Sequence, residues 1–175
     1  MAKITLFGLA GTGTSSVGKL LARKLNYTFM STGNIFRAKA DSLGLTLHQF
    51  EELCNQNPEH DKALDQDVKI FGEKNDNFVI ESRLAWYFIP NSIKIKLHCD
   101  FDERIRRVAK RDGVTVDEAK KLTIARESFG AQRYKDFYTI TDFAPDSAFD
   151  LCIDTTTTPI EKVLERIQSY LEEKK

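Results

Sequence analysis

The sequence predicts an α/β fold in which one parallel sheet is covered by helices on both faces. Short runs of β-branched and aromatic residues alternate with longer segments of helical periodicity, as in successive βαβ units. The chain has 175 residues, 41% of them apolar, which is enough for one domain with its own core. The runs predicted to form strands are 3–7, 27–30, 78–80, 93–99 and 151–153.

Capping motifs mark where several of the predicted helices begin. Thr46–Gln49 and Thr115–Glu118 both fit the capping-box pattern, in which a hydroxyl residue is followed three positions later by Glu or Gln. At the last helix, Thr158 is the predicted N-cap and Pro159 the first helical residue.

Two segments between the predicted strands are expected to move. Residues 35–75 are predicted to form two or three helices between the second and third strands. Residues 113–118 are predicted to be a short charged connection between two helices that carry arginines. We expect the insertion at about 35–75 and a short lid at about 104–133 to cover a ligand.

Composition argues against several classes of function. The formal net charge is zero, so no basic excess indicates a nucleic acid or an anionic membrane surface as partner. No apolar stretch is long enough to span a bilayer and no leader is evident, so we expect a cytoplasmic protein, monomeric, with small-molecule partners. Cys54, Cys99 and Cys152 are too far apart for a metal or redox motif, and Cys99 and Cys152 are predicted to be core thiols.

A glycine-rich loop follows the first strand and precedes a helix. Glycines let the backbone come close to an anion, and successive N–H groups at a helix N-terminus then point at it. The alternative is an ordinary tight turn, but the spacing, the hydroxyl run and the flanking elements favour a phosphate-binding P-loop in a three-layer sandwich. Ser15 occupies the position of a Mg²⁺ ligand. The residues predicted to bind the nucleotide phosphates are Gly8, Leu9, Ala10, Gly11, Thr12, Gly13, Thr14, Ser15 and Ser16.

The loop lacks the lysine that usually reaches the terminal phosphates. Thr14 occupies that position, and Lys19 lies more than a turn into the helix, too far to replace the lysine. The missing positive charge is therefore expected to come from arginines elsewhere in the chain.

Two arginine stripes provide candidates for that charge. Arg104, Arg107 and Arg111 share one helix face, and Arg126 and Arg133 are seven residues apart on the next helix. A solvated helix face explains Arg104 equally well. Arg107, Arg111, Arg126 and Arg133 are the predicted catalytic arginines, and Arg126 and Arg133 are expected to contact the transferred phosphoryl group.

A second set of candidates lies where the second and third strands end. Ser31, Gly33 and Arg37 follow the second strand, where a glycine turn is predicted to open a helix. Glu81 and Arg83 follow the third strand. Glu81 is predicted to hold Mg²⁺ through water, the alternative being an ion pair with Arg83. Arg37 and Arg83 are predicted to bind the phosphate of an acceptor, and Ser31 and Gly33 to belong to the same substrate site.

Two phosphate sites imply a phosphoryl donor and a phosphorylated acceptor. An acceptor phosphate is already anionic and needs no general base, whereas a hydroxyl acceptor usually does. Asn34, which cannot act as a base, fits a phosphate acceptor.

These residues together resemble the archaeal-type (type 2) cytidylate kinases, within the nucleoside monophosphate kinases. The resemblance extends over nearly the whole chain, although Asn34 and Ser82 stand where the family often has aspartate and glycine. It implies a sheet of order 2-3-1-4-5, ATP at the glycine loop, Mg²⁺, and CMP or dCMP beneath the inserted helices. The runs that carry it are 8–16, 31–37, 57–65, 81–85, 107–113, 126–134 and 154–155.

Recognition of cytosine requires an acceptor for its exocyclic amino group. Asp61 and Asp65 lie four apart on one face of the helix predicted after Pro58, and are the predicted base-reading residues. A solvated helix face is the alternative for this pair.

Other functions remain open from the sequence. An adenylate or other nucleoside monophosphate kinase would share the glycine loop and the arginines. A nucleotide-binding sensor that has lost catalysis would explain Thr14, although Ser15, Glu81 and the arginines argue against it. A kinase of a small hydroxyl metabolite would need a base that is not evident after the second strand.

Overall fold

Five parallel strands form one sheet within the described part of the chain. The computed structural model describes residues 2–174, with the side chain of Asp61 left out. The hydrogen-bonded order is β2-β3-β1-β4-β5, so the predicted fold class and sheet order are confirmed. The strands are β1 (Lys3–Phe7), β2 (Thr28–Ser31), β3 (Phe78–Glu81), β4 (Ile93–His98) and β5 (Leu151–Asp154).

Helices connect the strands and cover both faces of the sheet. Three of them, α2 to α4, lie between β2 and β3, in agreement with the prediction for 35–75. No described helix is long and apolar enough to cross a membrane. The helices are α1 (Thr14–Leu25), α2 (Thr32–Ser42), α3 (Leu47–Gln56), α4 (Glu59–Lys74), α5 (Ala85–Phe88), α6 (Phe101–Asp112), α7 (Val116–Tyr138) and α8 (Ile160–Glu173).

The core consists of two apolar layers, one on each side of the sheet. Alternate side chains of a strand point to opposite faces, and the central strands are buried on both. On one face Ile4, Leu6 and Val79 pack with residues of α1 and α8. On the other, Phe78 and Ile80 pack with Val68, Ala85 and Ile89 of α4, α5 and the following loop.

Helix starts agree with the capping motifs, with one correction. Thr46 and Gln49 form the predicted capping box, and the Thr115 hydroxyl accepts from the Glu118 N–H. At the last helix the prediction is wrong by one residue, because Pro159 is the N-cap. Pro159 has a ψ of 149°, which is not helical, and its carbonyl already accepts from the Val163 N–H.

Three further predictions are corrected by the structure. Gly33 does not form a turn, because α2 begins at Thr32 with Ser31 as its N-cap, so Gly33 lies inside the first helical turn. The connection between α6 and α7 is 113–115 rather than 113–118, since Thr115 caps α7. Cys99 is buried as predicted, but Cys152 is exposed, because β5 pairs only with β4 and is the edge strand.

Candidate active site

A cleft of about 500 Å³ opens at the carboxyl ends of β1 and β3. This is the edge of a parallel sheet at which ligands bind. The cleft is lined by most of the residues predicted for the site, although they come from separate elements of the chain. These are Gly8, Leu9, Ala10, Gly11, Gly13, Thr14, Ser15, Ser16, Gly33, Arg37, Asp65, Glu81, Arg83, Arg107, Arg111, Arg126 and Arg133.

The glycine loop takes its shape from glycine dihedral angles and from contacts of its own residues. Gly11 and Gly13 have φ values of +88° and +89°, a region that favours glycine. A Cβ on Gly11 would lie 2.5 Å from the Arg104 carbonyl oxygen, whereas one on Gly13 would meet nothing within 4 Å. Thr12 is buried behind the loop, where its hydroxyl donates to the Leu9 carbonyl at 2.8 Å. The loop therefore holds its shape by its own contacts.

The N-terminus of α1 faces the cleft. Gly13 is its N-cap, so no side chain caps the first N–H groups. Exposed N–H groups at the start of a helix attract anions through hydrogen bonding and the helix dipole. With the open space beside Gly13, this end of the helix fits a bound phosphate group.

Glu81 joins the glycine loop to the start of α2. Its carboxylate accepts from the Thr14 hydroxyl at 2.7 Å and from the Ser15 hydroxyl at 2.8 Å. It also accepts from the Ser31 hydroxyl, which itself caps α2 by accepting from the Asn34 N–H. Thr14, in the position of the missing lysine, thus contacts Glu81 through its hydroxyl. Oxygen ligands of this kind suit Mg²⁺.

Arg104 is a buried structural residue. Its side chain is 7% exposed and forms an ion pair with Glu127 of α7 at 2.7 Å. The same guanidinium donates to the carbonyl of Ala10 in the glycine loop at 3.2 Å. The interpretation of Arg104 as part of a solvated helix face is therefore wrong.

Arg107 also holds backbone in place. Its guanidinium donates to the Gly11 carbonyl at 3.3 Å and to the carbonyls of Thr155 and Thr156 at 2.8 and 3.0 Å. Arg107 thereby connects α6 to the glycine loop and to the loop after β5. It lines the cleft while making these contacts.

Three other arginines of the cleft, Arg111, Arg37 and Arg83, make contacts with residues close to them in sequence. Arg111 pairs with Asp112 at 2.6 Å, and the hydrogen bond to Asp112 raises its pKa. Arg37 donates to the side-chain oxygen of Asn34 at 2.8 Å. The Arg83 carbonyl accepts from the indole N–H of Trp86 at 3.0 Å, while the Arg83 guanidinium lines the cleft.

Arg126 is paired with a carboxylate that sequence reasoning missed. Its Nε lies 2.6 Å from Glu51 Oε1, a carboxylate of α3 that is 5% exposed. Burial lowers the pKa of Arg126 to about 10, with the positive charge of Arg83 acting in the same direction. Burial also raises the pKa of Glu51, against the opposing effect of Arg126. The pair therefore occupies a desolvated position between α3 and α7.

The far end of the cleft contains the predicted base-reading region. The Tyr138 hydroxyl donates to Asp65 Oδ2 at 2.6 Å. Arg133 donates to the side-chain oxygen of Asn55 at 3.4 Å. The Asp61 side chain lies outside the described residues, so its predicted role stays a prediction.

Sequence reasoning also missed apolar and charged residues that line the cleft. Phe36 and Leu64 come from α2 and α4, and Tyr134 and Phe137 come from the end of α7. Helical spacing of apolar residues predicts only burial, so nothing separated these residues from ordinary core. Lys19, set aside because of its distance along α1, also lines the cleft.

Comparison with known proteins identifies the family. The model of the cytidylate kinase-like family matches residues 3–157. A cytidylate kinase of Archaeoglobus fulgidus is 37% identical over 174 residues, which cover 99% of this chain and 96% of the relative. A cytidylate kinase of Methanocaldococcus jannaschii is 37% identical over 175 residues, covering 97% of each chain.

Solved structures agree with the fold. A shikimate kinase from Aquifex aeolicus matches with a TM-score of 0.61 at 22% identity, covering 97% of this chain and 95% of that one. At this identity the likeness concerns the P-loop kinase fold alone. The family model and the archaeal relatives carry the assignment further: the chain belongs to the cytidylate kinase-like family and is a nucleotide kinase.

Proposed function

We propose that this protein transfers the terminal phosphoryl group of ATP to CMP or dCMP, with Mg²⁺ as cofactor. The observation that carries the proposal is one cleft with a glycine loop on one side and Arg37, Arg83, Arg126 and Arg133 on the other. Two anion-binding regions in one cleft suit a phosphoryl donor and a phosphorylated acceptor. The names of the archaeal relatives support CMP as that acceptor.

On the donor side, the loop Gly8–Ser16 and the open N-terminus of α1 would hold the ATP phosphates. Ser15 and Glu81 would hold Mg²⁺, which when bound supplies positive charge against the phosphate oxygens. Their oxygens lie 2.8 Å apart, a donor set that suits a hard cation. Arg111 adds a positive charge to the same region, since its guanidinium lies within the electrostatic field of Glu81.

On the acceptor side, Arg37 and Arg83 would hold the acceptor phosphate. Asn34 orients Arg37 through its side-chain oxygen. Arg126 and Arg133 would stabilise the charge of the group in transfer. No general base is required, because the attacking atom is an anionic phosphate oxygen, and catalysis then depends on positioning and electrostatics.

Cytosine would be read at the end of the cleft that α4 and α7 line. Asp65, whose carboxylate accepts from the Tyr138 hydroxyl, lines the cleft here and is the acceptor proposed for the amino group. Phe36, Tyr134 and Phe137 supply aromatic surface beside it. The insertion at about 35–75 and the lid at about 104–133 would enclose this region in the complex.

A coupled assay that detects ADP tests the proposal. Purified protein is supplied with ATP, Mg²⁺ and each of CMP, UMP, AMP and GMP in turn, and dCMP is compared with CMP. We expect CMP to exceed UMP in kcat/KM by about 10–10²-fold, which is the effect of a correctly or wrongly paired buried acceptor. AMP as the best acceptor would indicate an adenylate kinase. Binding of ATP and CMP without ADP formation would indicate a sensor.

A further inference from the structure

Glu51 is the buried acid of the cleft that the proposed function leaves without a role. It lies on α3, and its side chain is 5% exposed. Burying a carboxylate is unfavourable unless the charge is compensated. Its Oε1 lies 2.6 Å from Arg126 Nε, an ion pair across the cleft from α3 to α7.

Arg126 needs such a partner to keep its guanidinium inside the cleft. Its guanidinium lies in the field of Arg83, Arg37 and Arg111, all of which are positive and line the same cleft. Repulsion from these groups favours a position in which Arg126 points away into solvent. The contact with Glu51 opposes that repulsion, and the Arg126 side chain is only 18% exposed.

Glu127, which follows Arg126 in α7, is held by an ion pair on a different side of the helix. Glu127 pairs with Arg104 at 2.7 Å, and Arg104 donates to the carbonyl of Ala10 in the glycine loop. Consecutive residues of α7 therefore make ion pairs in two directions, one toward the glycine loop and one toward α3. The middle of α7 is fixed between the two halves of the cleft.

We propose that Glu51 is the positioning residue for Arg126: it holds the guanidinium inside the cleft before the nucleotides bind. The role of Arg126 in phosphoryl transfer rests on the proposed function. Glu51 acts through Arg126, and its contribution is a preplaced cation that needs no rearrangement when the substrates arrive.

Kinetics of Glu51→Gln test this role, with Glu52→Gln as the matched control. Glu52 is the next residue of α3, is 56% exposed and contacts His48. We expect Glu51→Gln to lower kcat by about 10–10²-fold with the KM for ATP nearly unchanged, because misplacing a catalytic group by about 1 Å has an effect of that size. Glu52→Gln should keep wild-type kcat. Wild-type turnover in Glu51→Gln overturns the proposal.

A double variant separates positioning from a general structural role. Once Arg126→Gln has removed the guanidinium, adding Glu51→Gln should lower kcat no further, because both changes affect the same interaction. Additive losses would mean that Glu51 acts independently of Arg126. Wild-type turnover in Arg126→Gln alone would also overturn the proposal.

Nitrogen-15 NMR of the nucleotide-free protein provides a readout that does not depend on activity. The Arg126 Nε–H should exchange slowly with water in wild type and in Glu52→Gln, and rapidly in Glu51→Gln. Unchanged exchange in Glu51→Gln contradicts the positioning role. If wild type phosphorylates none of the four monophosphates, the proposed function fails, while the loss of this protection in Glu51→Gln would still support the contact.

Discussion

The two sides of the cleft are held in place in different ways. The glycine-loop side, Gly8–Ser16, is shaped by backbone dihedral angles, hydroxyl contacts and carbonyls that accept from Arg104 and Arg107. The arginine side consists of Arg37, Arg83, Arg126 and Arg133, which reach the cleft from α2, from the end of β3 and from α7. One side depends on local chain geometry supported by two arginines of α6, and the other on charged side chains that face the cleft from separate elements.

This difference explains why some arginines contact protein carbonyls while others face the cleft. On the glycine-loop side, Arg104 and Arg107 contact protein carbonyls and so maintain the site. On the arginine side, like charges are gathered in one cleft, Arg126 among them is desolvated, and Glu51 is the carboxylate that contacts it. Such a cluster is unfavourable until anions bind. We therefore expect ligands to stabilise the arginine side more than the glycine-loop side.

The largest expected effect is on turnover when an arginine of α7 is removed. Arg126→Ala and Arg133→Ala should each lower kcat by roughly 10²–10⁵-fold while ATP affinity changes little, because these residues would act on the group in transfer. Steady-state kinetics with calorimetric ATP binding measure both quantities. Arg106→Ala, an exposed arginine of α6, is the control. A raised KM with normal kcat would instead assign Arg126 and Arg133 to ground-state binding.

The second effect concerns the shape of the glycine-loop side. Gly11→Ala should reduce the free energy of unfolding by roughly 2–4 kcal/mol, from a positive φ combined with a clash against the Arg104 carbonyl. Gly13→Ala has the same kind of φ but open space, so it should lose only about 1–2 kcal/mol. Urea unfolding without nucleotide measures both. Equal losses would show that the contact with Arg104 does not shape the loop.

The third effect is on base selection at the arginine side. Asp65→Ala should remove most of the expected preference of about 10–10²-fold for CMP over UMP, because it removes the acceptor for the amino group. The ratio of kcat/KM values for the two acceptors measures it. Asp67→Ala, an exposed carboxylate on the same helix, should keep the wild-type ratio. Asp61→Ala in the same series tests the second predicted aspartate, and unchanged ratios in both variants would place specificity elsewhere.

The smallest expected effect is a dependence of stability on pH. Burial raises the pKa of Glu51 above its ordinary value of 4.5, so folding disfavours the ionised form. The stabilisation from protonating Glu51 is complete below pH 4.5 and is lost as the pH rises through the raised pKa. Wild type should therefore gain stability relative to Glu51→Gln as the pH falls from about 7 toward 4.5.

Urea unfolding of both proteins across this pH range measures the difference. Glu52→Gln should track wild type, because its carboxylate is exposed. A difference between wild type and Glu51→Gln that is constant with pH would mean that Glu51 keeps an ordinary pKa.

The glycine-loop side could be predicted from sequence because its determinants are contiguous. Gly11, Gly13 and Ser15 lie within one short segment, and the strand before it and the helix after it follow from local patterns. Cys152 and Gly33 were misjudged for the opposite reason. Exposure of Cys152 depends on β5 being an edge strand, and the helical conformation of Gly33 depends on the Ser31 cap.

The arginine side could be predicted only in part. The strand-end positions located Arg37 and Arg83, but the partners of the α7 arginines, Glu51 and Asn55, come from α3, which lies far earlier in the sequence. Helical spacing places Glu51, and not Glu52, on the face of α3 that buries Phe50 and Cys54. What the sequence does not indicate is that Arg126 of α7 pairs with the buried carboxylate.

Trp86 gives the arginine side an intrinsic fluorophore. The chain has one tryptophan, and its indole N–H donates to the carbonyl of Arg83, whose guanidinium lines the cleft. Indole emission shifts in wavelength and intensity when its hydrogen bond or its surroundings change. Binding of an acceptor nucleotide to the unlabelled protein can therefore be followed by the fluorescence of Trp86, which reports on the backbone of Arg83. The glycine-loop side has no tryptophan, so it contributes no background emission.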